Sequence, residues 1–421
     1  MVKRKRPNIG FVSTRLAGMD GVSLESQKWT RCLENAGYRC CYFAGQLERP
    51  AGRCMPVAEA HFAHPAIQDI YEQCFRATLR PRELTARIQS MKDTLRDRLY
   101  EFVGEFDIGV LVVENALAIP LNIPLGLALT ELIVETGIRT IAHHHDLFWE
   151  RKRFLSNCVW DYLNMSFPPH LPSIRHVVIN SSADNQLSLR TGISATVIPN
   201  VMDFETPPPP PDKFASTVRR DLGFREDELF ILQPTRVVPR KRIELAIDLV
   251  HRLDLKTKLV ISHASGDEGY EYERDLRKYA QSLGVNALFV SEAIGENRGT
   301  GASGSKVYAL GDVYPHADLI TYPSGFEGFG NAFLESVYYR KPLVVNNYSI
   351  YAIDIRPKGF RVIELNGYVN DDAVKRVREV LENPELGREM AEENYQLARR
   401  YFSYSVLKRK LEGLVADFLG D

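Results

Sequence analysis

The stretch Asn8-Ile-Gly-Phe-Val-Ser13, followed by Ala17-Gly18-Met19-Asp20-Gly21-Val22-Ser23 and an amphipathic segment over 24–36, sets the architecture. A short apolar run, a glycine-containing loop and a helical pattern read as strand, phosphate-friendly turn and helix. The same alternation continues through brief β-rich runs at 39–43, 108–113, 140–143, 176–180 and 196–198. Short strands separated by helical segments of this length predict a parallel α/β sheet.

After Val197-Ile-Pro-Asn200 the composition changes to five consecutive prolines, Pro207 to Pro211, which cannot join a helix and favour a stiff extended spacer. The interdomain linker is expected there. A second alternating series follows, with Leu229-Phe-Ile-Leu-Gln233, Lys258-Leu-Val-Ile-Ser262, Ala317-Asp-Leu-Ile-Thr-Tyr322 and Pro342-Leu-Val-Val-Asn346 as its strands. Two Rossmann-like domains are therefore expected. The first covers 1–203 and recovers a C-terminal helix at 405–421, whose Leu407, Leu411, Leu414, Val415 and Phe418 have helical spacing; the second covers 204–404. A chain of 421 residues exceeds what one hydrophobic core usually serves, which agrees with two domains.

Composition narrows the function classes. The net charge of −1 gives no general attraction to nucleic acid, and an acidic ligand must be held by a local cluster of cations. The basic run Lys3-Arg4-Lys5-Arg6 leads into too few apolar residues for a signal peptide, and no run approaches the length of a membrane span. All six cysteines fall in the first 160 residues without metal-ligand spacing. A cytoplasmic protein with reduced thiols is expected, working with small molecules rather than nucleic acid; a homo-oligomer is compatible with the sequence.

The strongest chemical signal is Pro323-Ser-Gly-Phe-Glu327-Gly-Phe-Gly-Asn-Ala-Phe-Leu-Glu335. Gly328 and Gly330 let backbone approach a ligand closely, and the N–H groups opening the next helix suit diphosphate oxygens. A second signal, Pro234-Thr-Arg236-Val-Val-Pro-Arg240-Lys241-Arg242, puts cations in the loop after the first strand of the second domain, where they can neutralise a departing diphosphate. Arg240 and Arg242 read as surface charge beside the pair Arg236 and Lys241, with one of them able to substitute if the loop register is shifted.

Together these two segments resemble the retaining GT-B glycosyltransferases of family 4, whose two Rossmann-like domains face each other across a cleft holding the active site. The resemblance is dense over 230–346. It implies that Glu327 contacts the sugar, Glu335 the ribose, and Arg236 and Lys241 the diphosphate. Gly328, Phe329, Gly330 and Asn331 would line the donor, with Gly21 approaching the diphosphate from the first domain. Ile294 lies where the family reads the base, and Asp312 and Tyr314 would shape the nucleoside pocket. No cofactor is required on this reading, the nucleotide diphosphate-sugar being a substrate, and no D-x-D motif stands ready to hold a divalent ion.

Ile141-Ala-His143-His144-His145-Asp146-Leu-Phe-Trp149-Glu150 invites a metal-site reading. Successive residues of an extended segment point in opposite directions, so three adjacent imidazoles cannot all face one ion, and no metal is expected. By resemblance one histidine faces the donor sugar; His144 is the choice, with His143 and His145 as open alternatives. Ser23, at the start of a helix, either caps it or binds an oxyanion. Ser23, Lys28, His145, Asp146, Trp149 and Arg151 are the expected acceptor-binding residues, suited to a small anionic polar acceptor.

Segments 143–153 and 265–270 resemble those of enzymes that place mannose from GDP-mannose on glucosylglycerate. The expected reaction is retaining transfer of a hexose, mannose favoured. A nucleotide-sugar 2-epimerase, a sugar phosphorylase and a non-catalytic sugar-nucleotide-binding module are the competing readings. The arginine-rich stretch over 65–106 matches no part of the resemblance.

Overall fold

A computed structural model describes residues 6–18, 20–265, 269–295, 297–301 and 304–419. Lys3, Arg4 and Lys5 of the basic run, Met19 of the first loop and residues 266–268 of the 265–270 segment lie outside the described residues. The chain divides into two units, 1–201 with 404–421, and 202–403.

In the first unit, β1 (Asn8–Val12), β2 (Cys40–Ala44), β3 (Cys54–Pro56), β4 (Ile108–Glu114), β5 (Arg139–His144), β6 (Ile174–Val178) and β7 (Ala195–Val197) form a parallel sheet in the order β3-β2-β1-β4-β5-β6-β7. The strand order reverses between β1 and β4, and open α/β sheets bind ligands beyond the carboxyl ends of strands at such a reversal. The helix Gly21–Asn35 begins there, capped by Asp20, whose carboxylate accepts from the backbone N–H groups of Val22 and Ser23. The C-terminal helix Tyr404–Leu419 returns to this unit, as its spacing predicts: Leu407, Leu411 and Val415 are buried in one cluster with Trp29 and Leu33.

The arginine-rich stretch becomes the helices Pro65–Phe75 and Arg82–Glu105. Its arginines answer nearby acids: Arg80 pairs with Asp161, Arg87 with Asp69, Arg96 with Glu131 and Arg98 with Glu101. The apolar face (Leu95, Leu99, Phe102) is buried with Phe43 and Leu132. Arg87, Arg96 and Arg98 thus decorate the outer side of a packed helix, and Arg80 lies in the segment that precedes it.

In the second unit, β8 (Leu229–Gln233), β9 (Thr257–Ile261), β10 (Ala287–Phe289), β14 (Leu319–Tyr322), β15 (Leu343–Asn346) and β16 (Ile363–Leu365) form a parallel sheet in the order β10-β9-β8-β14-β15-β16. A small sheet holds β11 (Ile294–Gly295), β12 (Gly299–Thr300) and β13 (Lys306–Ala309). The order reverses between β8 and β14.

The proline run is not the junction. The chain enters the second unit at Met202 and leaves it at Ser403, and these two residues form a parallel bridge, with the Met202 N–H donating to the Phe402 carbonyl at 2.9 Å. Residues 207–211 lie within the second unit and lead to Asp212, which is anchored by Arg298 at 2.6 Å.

Among the described residues no helix is long and apolar enough to cross a membrane. None of the six cysteines, all of them described, forms a disulfide.

Candidate active site

The reversal in the second sheet explains why its two motifs meet. The loop after β8 carries Arg236, Arg240 and Lys241; the loop after β14 carries Glu327; β8 and β14 are hydrogen-bonded neighbours. Lys241 Nζ donates to Glu327 Oε1, and Arg240 Nη1 donates to Glu327 Oε2 at 3.0 Å. Glu327 and Lys241 are both buried. Burial works against the charge on each, but the cations prevail at Glu327, and Lys241 with Arg240 holds its carboxyl below the ordinary range.

Arg240 therefore belongs to the site, against the expectation of surface charge. Arg242 does not, since it turns the chain in the left-handed region at φ 50° and donates to the Gly367 carbonyl at 2.9 Å. Arg236 is exposed and makes no ion pair with a described residue.

The turn behind Glu327 is set by packing. Gly330 has φ 124° and ψ 69°, and a Cβ there would lie 2.6 Å from Tyr348 Oη and 3.2 Å from Tyr322 Oη. Tyr348 donates to the Phe329 carbonyl at 2.8 Å, and Asn346 holds the loop through the Ser324 carbonyl and the Gly367 N–H. Phe329 is itself buried against Phe402, so its side chain anchors the turn and only its backbone can serve a ligand. The helix Asn331–Tyr338 starts at this turn and carries Glu335 one further turn along.

Three further donor-side candidates have their side chains engaged within the second unit. Tyr314 is fully buried, stacked on Tyr339, and donates to Glu335 Oε2 at 3.0 Å, so its hydroxyl holds Glu335. Asp312 is bound twice by Arg298 and accepts from the Ala309 N–H at 3.0 Å, closing a short helix. Ile294 is buried in β11 beside Tyr308.

In the first unit the carboxyl ends of β4 and β5 gather a polar cluster. Register pairs Glu114 with His143. Glu114 Oε2 lies 2.9 Å from His143 Nδ1 and 3.1 Å from His145 Nε2, and His143 stacks on Trp29 with ring centroids 4.1 Å apart. Burial pushes the Glu114 carboxyl up, but the two imidazoles outweigh it and hold it at about 2. Glu114 was not legible as a site residue, although a carboxylate ending an otherwise apolar strand was a signal.

His144 parts from its two neighbours. Alternation along β5 turns it to the opposite side, where its Nε2 meets His176 Nδ1 at 2.9 Å and its side chain is buried. Burial and the neighbouring His176 keep it neutral, well below the ordinary histidine value.

The acceptor-side candidates other than His145 are each engaged within the first unit. Ser23 is buried and donates to Ala17 O and Asp20 Oδ2, the cap being Asp20. Lys28 is engaged by Glu25 and by the Val201 carbonyl at 2.6 Å. Trp149 donates to Gln186 at 3.1 Å. Asp146 and Arg151 pair with each other near the surface, and Gly21 is exposed at the first position of its helix.

Two doubly wound parallel units with glutamate and cations at a strand-order reversal define the class: the protein is a glycosyltransferase of the GT-B fold. The family profile described as "Glycosyl transferases group 1" matches residues 215–397. A mannosylglucosylglycerate synthase of Thermotoga maritima is 32% identical over 95% of this chain and 97% of its own. Another from Petrotoga mobilis is 32% identical over 85% of this chain and 86% of its own. The chain belongs to the family of these two enzymes. Among solved structures, sucrose-phosphate synthase from Thermosynechococcus elongatus shares the fold at a TM-score of 0.68 and 13% identity, covering 99% of this chain and 100% of that one.

Proposed function

We propose that the enzyme transfers mannose from GDP-mannose to glucosylglycerate with retention of anomeric configuration, as a member of glycosyltransferase family 4. The observation that carries this reading is the end-to-end match to a mannosylglucosylglycerate synthase, 95% of this chain against 97% of that one.

The second unit supports the donor half. Arg236, Arg240 and Lys241 stand where negative charge grows as the diphosphate departs, and fixed cations in a water-poor site stabilise that charge without reorganisation. The diphosphate takes over Lys241 and Arg240 from Glu327, which is then released to accept hydroxyl groups of the mannose. Backbone groups of 328–331 serve the diphosphate, and Glu335, oriented by Tyr314, serves the ribose. The acceptor hydroxyl attacks the anomeric carbon from the leaving-group side. A diphosphate oxygen takes its proton while the carbon–oxygen bond to GDP breaks, so no protein base and no metal at the diphosphate are needed. Asp146 and Arg151 are accessible enough to meet the glycerate.

The test is incubation with glucosylglycerate and, separately, GDP-mannose, UDP-glucose or ADP-glucose, with the product read by NMR. An α-mannoside from GDP-mannose alone is expected. An inverted product, or turnover of donor to a sugar isomer without acceptor, refutes the reading.

A further inference from the structure

The three histidines closing β5 part company by strand geometry: His144 goes to His176, while His143 and His145, two positions apart, share a side. On that side they meet Glu114, brought alongside by the β4–β5 register. The objection to three adjacent imidazoles on one ion thus applies to His144 and leaves the other two untouched.

We propose that Glu114, His143 and His145 form a binding site for a divalent transition-metal ion of the zinc and cobalt type. One ligand atom from each lies within 4.8 Å of the others, with two of the separations at 2.9 Å and 3.1 Å. A tetrahedral ion with metal–ligand distances of about 2.0–2.1 Å spaces its ligands about 3.3 Å apart, so the ion enters with small adjustments of side chains already gathered. Two imidazoles and a carboxylate suit zinc or cobalt, whereas magnesium and calcium prefer oxygen throughout.

Hydrogen-bond accounting points the same way. A single oxygen of Glu114 takes both imidazoles, while Oε1, buried with the rest of a side chain that is 0% exposed, has no partner among the described residues. A buried carboxylate oxygen left unpaired is costly, and a cation at this cluster compensates it. His145, at 9% exposure the least buried of the three, provides the edge by which an ion enters. Three protein ligands leave a fourth position to a water or a ligand oxygen. The site is independent of the transfer steps above, which use none of these residues.

The experiment uses the full chain without an affinity tag, stripped with EDTA and titrated with CoCl2 alone while the visible spectrum is followed. Equilibrium dialysis against ZnCl2 and against MgCl2 provides the stoichiometry. One Co2+ per chain, with the visible bands of a four- or five-coordinate ion lost on adding Zn2+, is expected, with Mg2+ failing to compete. His145→Asn and Glu114→Gln should each weaken Co2+ binding by at least about 100-fold. Circular dichroism of the stripped variants reports folding; should Glu114→Gln fail to fold, His145→Asn, at the edge of the cluster, decides. Absence of saturable 1:1 binding, or binding that His145→Asn leaves unchanged, overturns the proposal, as does equal affinity for Mg2+.

Discussion

Replacing Gly330 by alanine tests the packing that sets the glutamate turn. The residue sits at φ 124° and ψ 69°, outside the regions open to residues with a side chain, at a cost of about 1–3 kcal/mol. The added Cβ also falls 2.6 Å from Tyr348 Oη, and that hydroxyl donates to the Phe329 carbonyl at 2.8 Å. Moving it strands a buried carbonyl, roughly another 1–3 kcal/mol. Gly330→Ala should therefore destabilise the second unit by about 2–6 kcal/mol, a large share of the 5–15 kcal/mol typical of a domain. Tryptophan fluorescence is blind to this event, because Trp29, Trp149 and Trp160 all lie in the first unit. Urea unfolding followed by circular dichroism, with hydrogen exchange of peptides over 319–348, reports it. Tyr348→Phe removes the atom that the Cβ meets, so the double variant should be less destabilised than the sum of the singles by about 1 kcal/mol or more. A Gly330→Ala protein within about 0.5 kcal/mol of the parent, or strict additivity with Tyr348→Phe, refutes the reasoning.

Lys241→Met leaves Glu327 buried with Arg240 as its remaining cation partner, and urea unfolding at pH 7 should show a loss of about 3 kcal/mol. Because the folded-state pKa of Glu327 is depressed, its contribution is present above the ordinary carboxylate value and is lost as pH falls through the lower folded value; Glu327→Gln should flatten stability-versus-pH below about pH 4.5. Under the proposed reaction, Glu327→Gln lowers kcat by about 100-fold or more in a coupled GDP-release assay. Tyr314→Phe frees Glu335 from its hydroxyl donor and should raise the Kd for GDP by about 5–10-fold in calorimetry, with kcat changed less.

The alternation of apolar runs made both sheets and the C-terminal helix legible, since a parallel strand buried on both faces leaves a continuous signature, as in Val110, Leu111, Val112 and Val113. The linker was expected at the five prolines, a louder signal than the backbone pairing of Met202 with Ser403, which no local pattern announces, whereas the expected bounds at 203/204 fall two residues from the observed 201/202. In the candidate site, Glu327 and Lys241 were singled out by a glycine-rich turn and a strand-end loop, and their expected roles came from resemblance to a known family. Arg240 read as surface charge, whereas the short helical turn Pro239–Lys241 lets it and Lys241 both reach one carboxylate. The partnerships of Glu114 and His176 were not legible for a simpler reason: each acts through a neighbouring strand, and register is a property of pairs of strands. The side chains of Asp312 and Tyr314 turn inward to Arg298 and Glu335, a pairing that no spacing in the sequence announces.

The last residues of β5 behave like a message read in a frame of two, with His143 and His145 addressed to Glu114 and His144 addressed to His176. Substituting one histidine deletes one letter and leaves the other address intact. Removing a single residue from 139–142 shifts the frame, sending the imidazole meant for His176 toward Glu114 and the reverse. Such a deletion should be far more damaging to this corner of the enzyme than any single histidine substitution, and the length of β5 is accordingly as constrained as its composition.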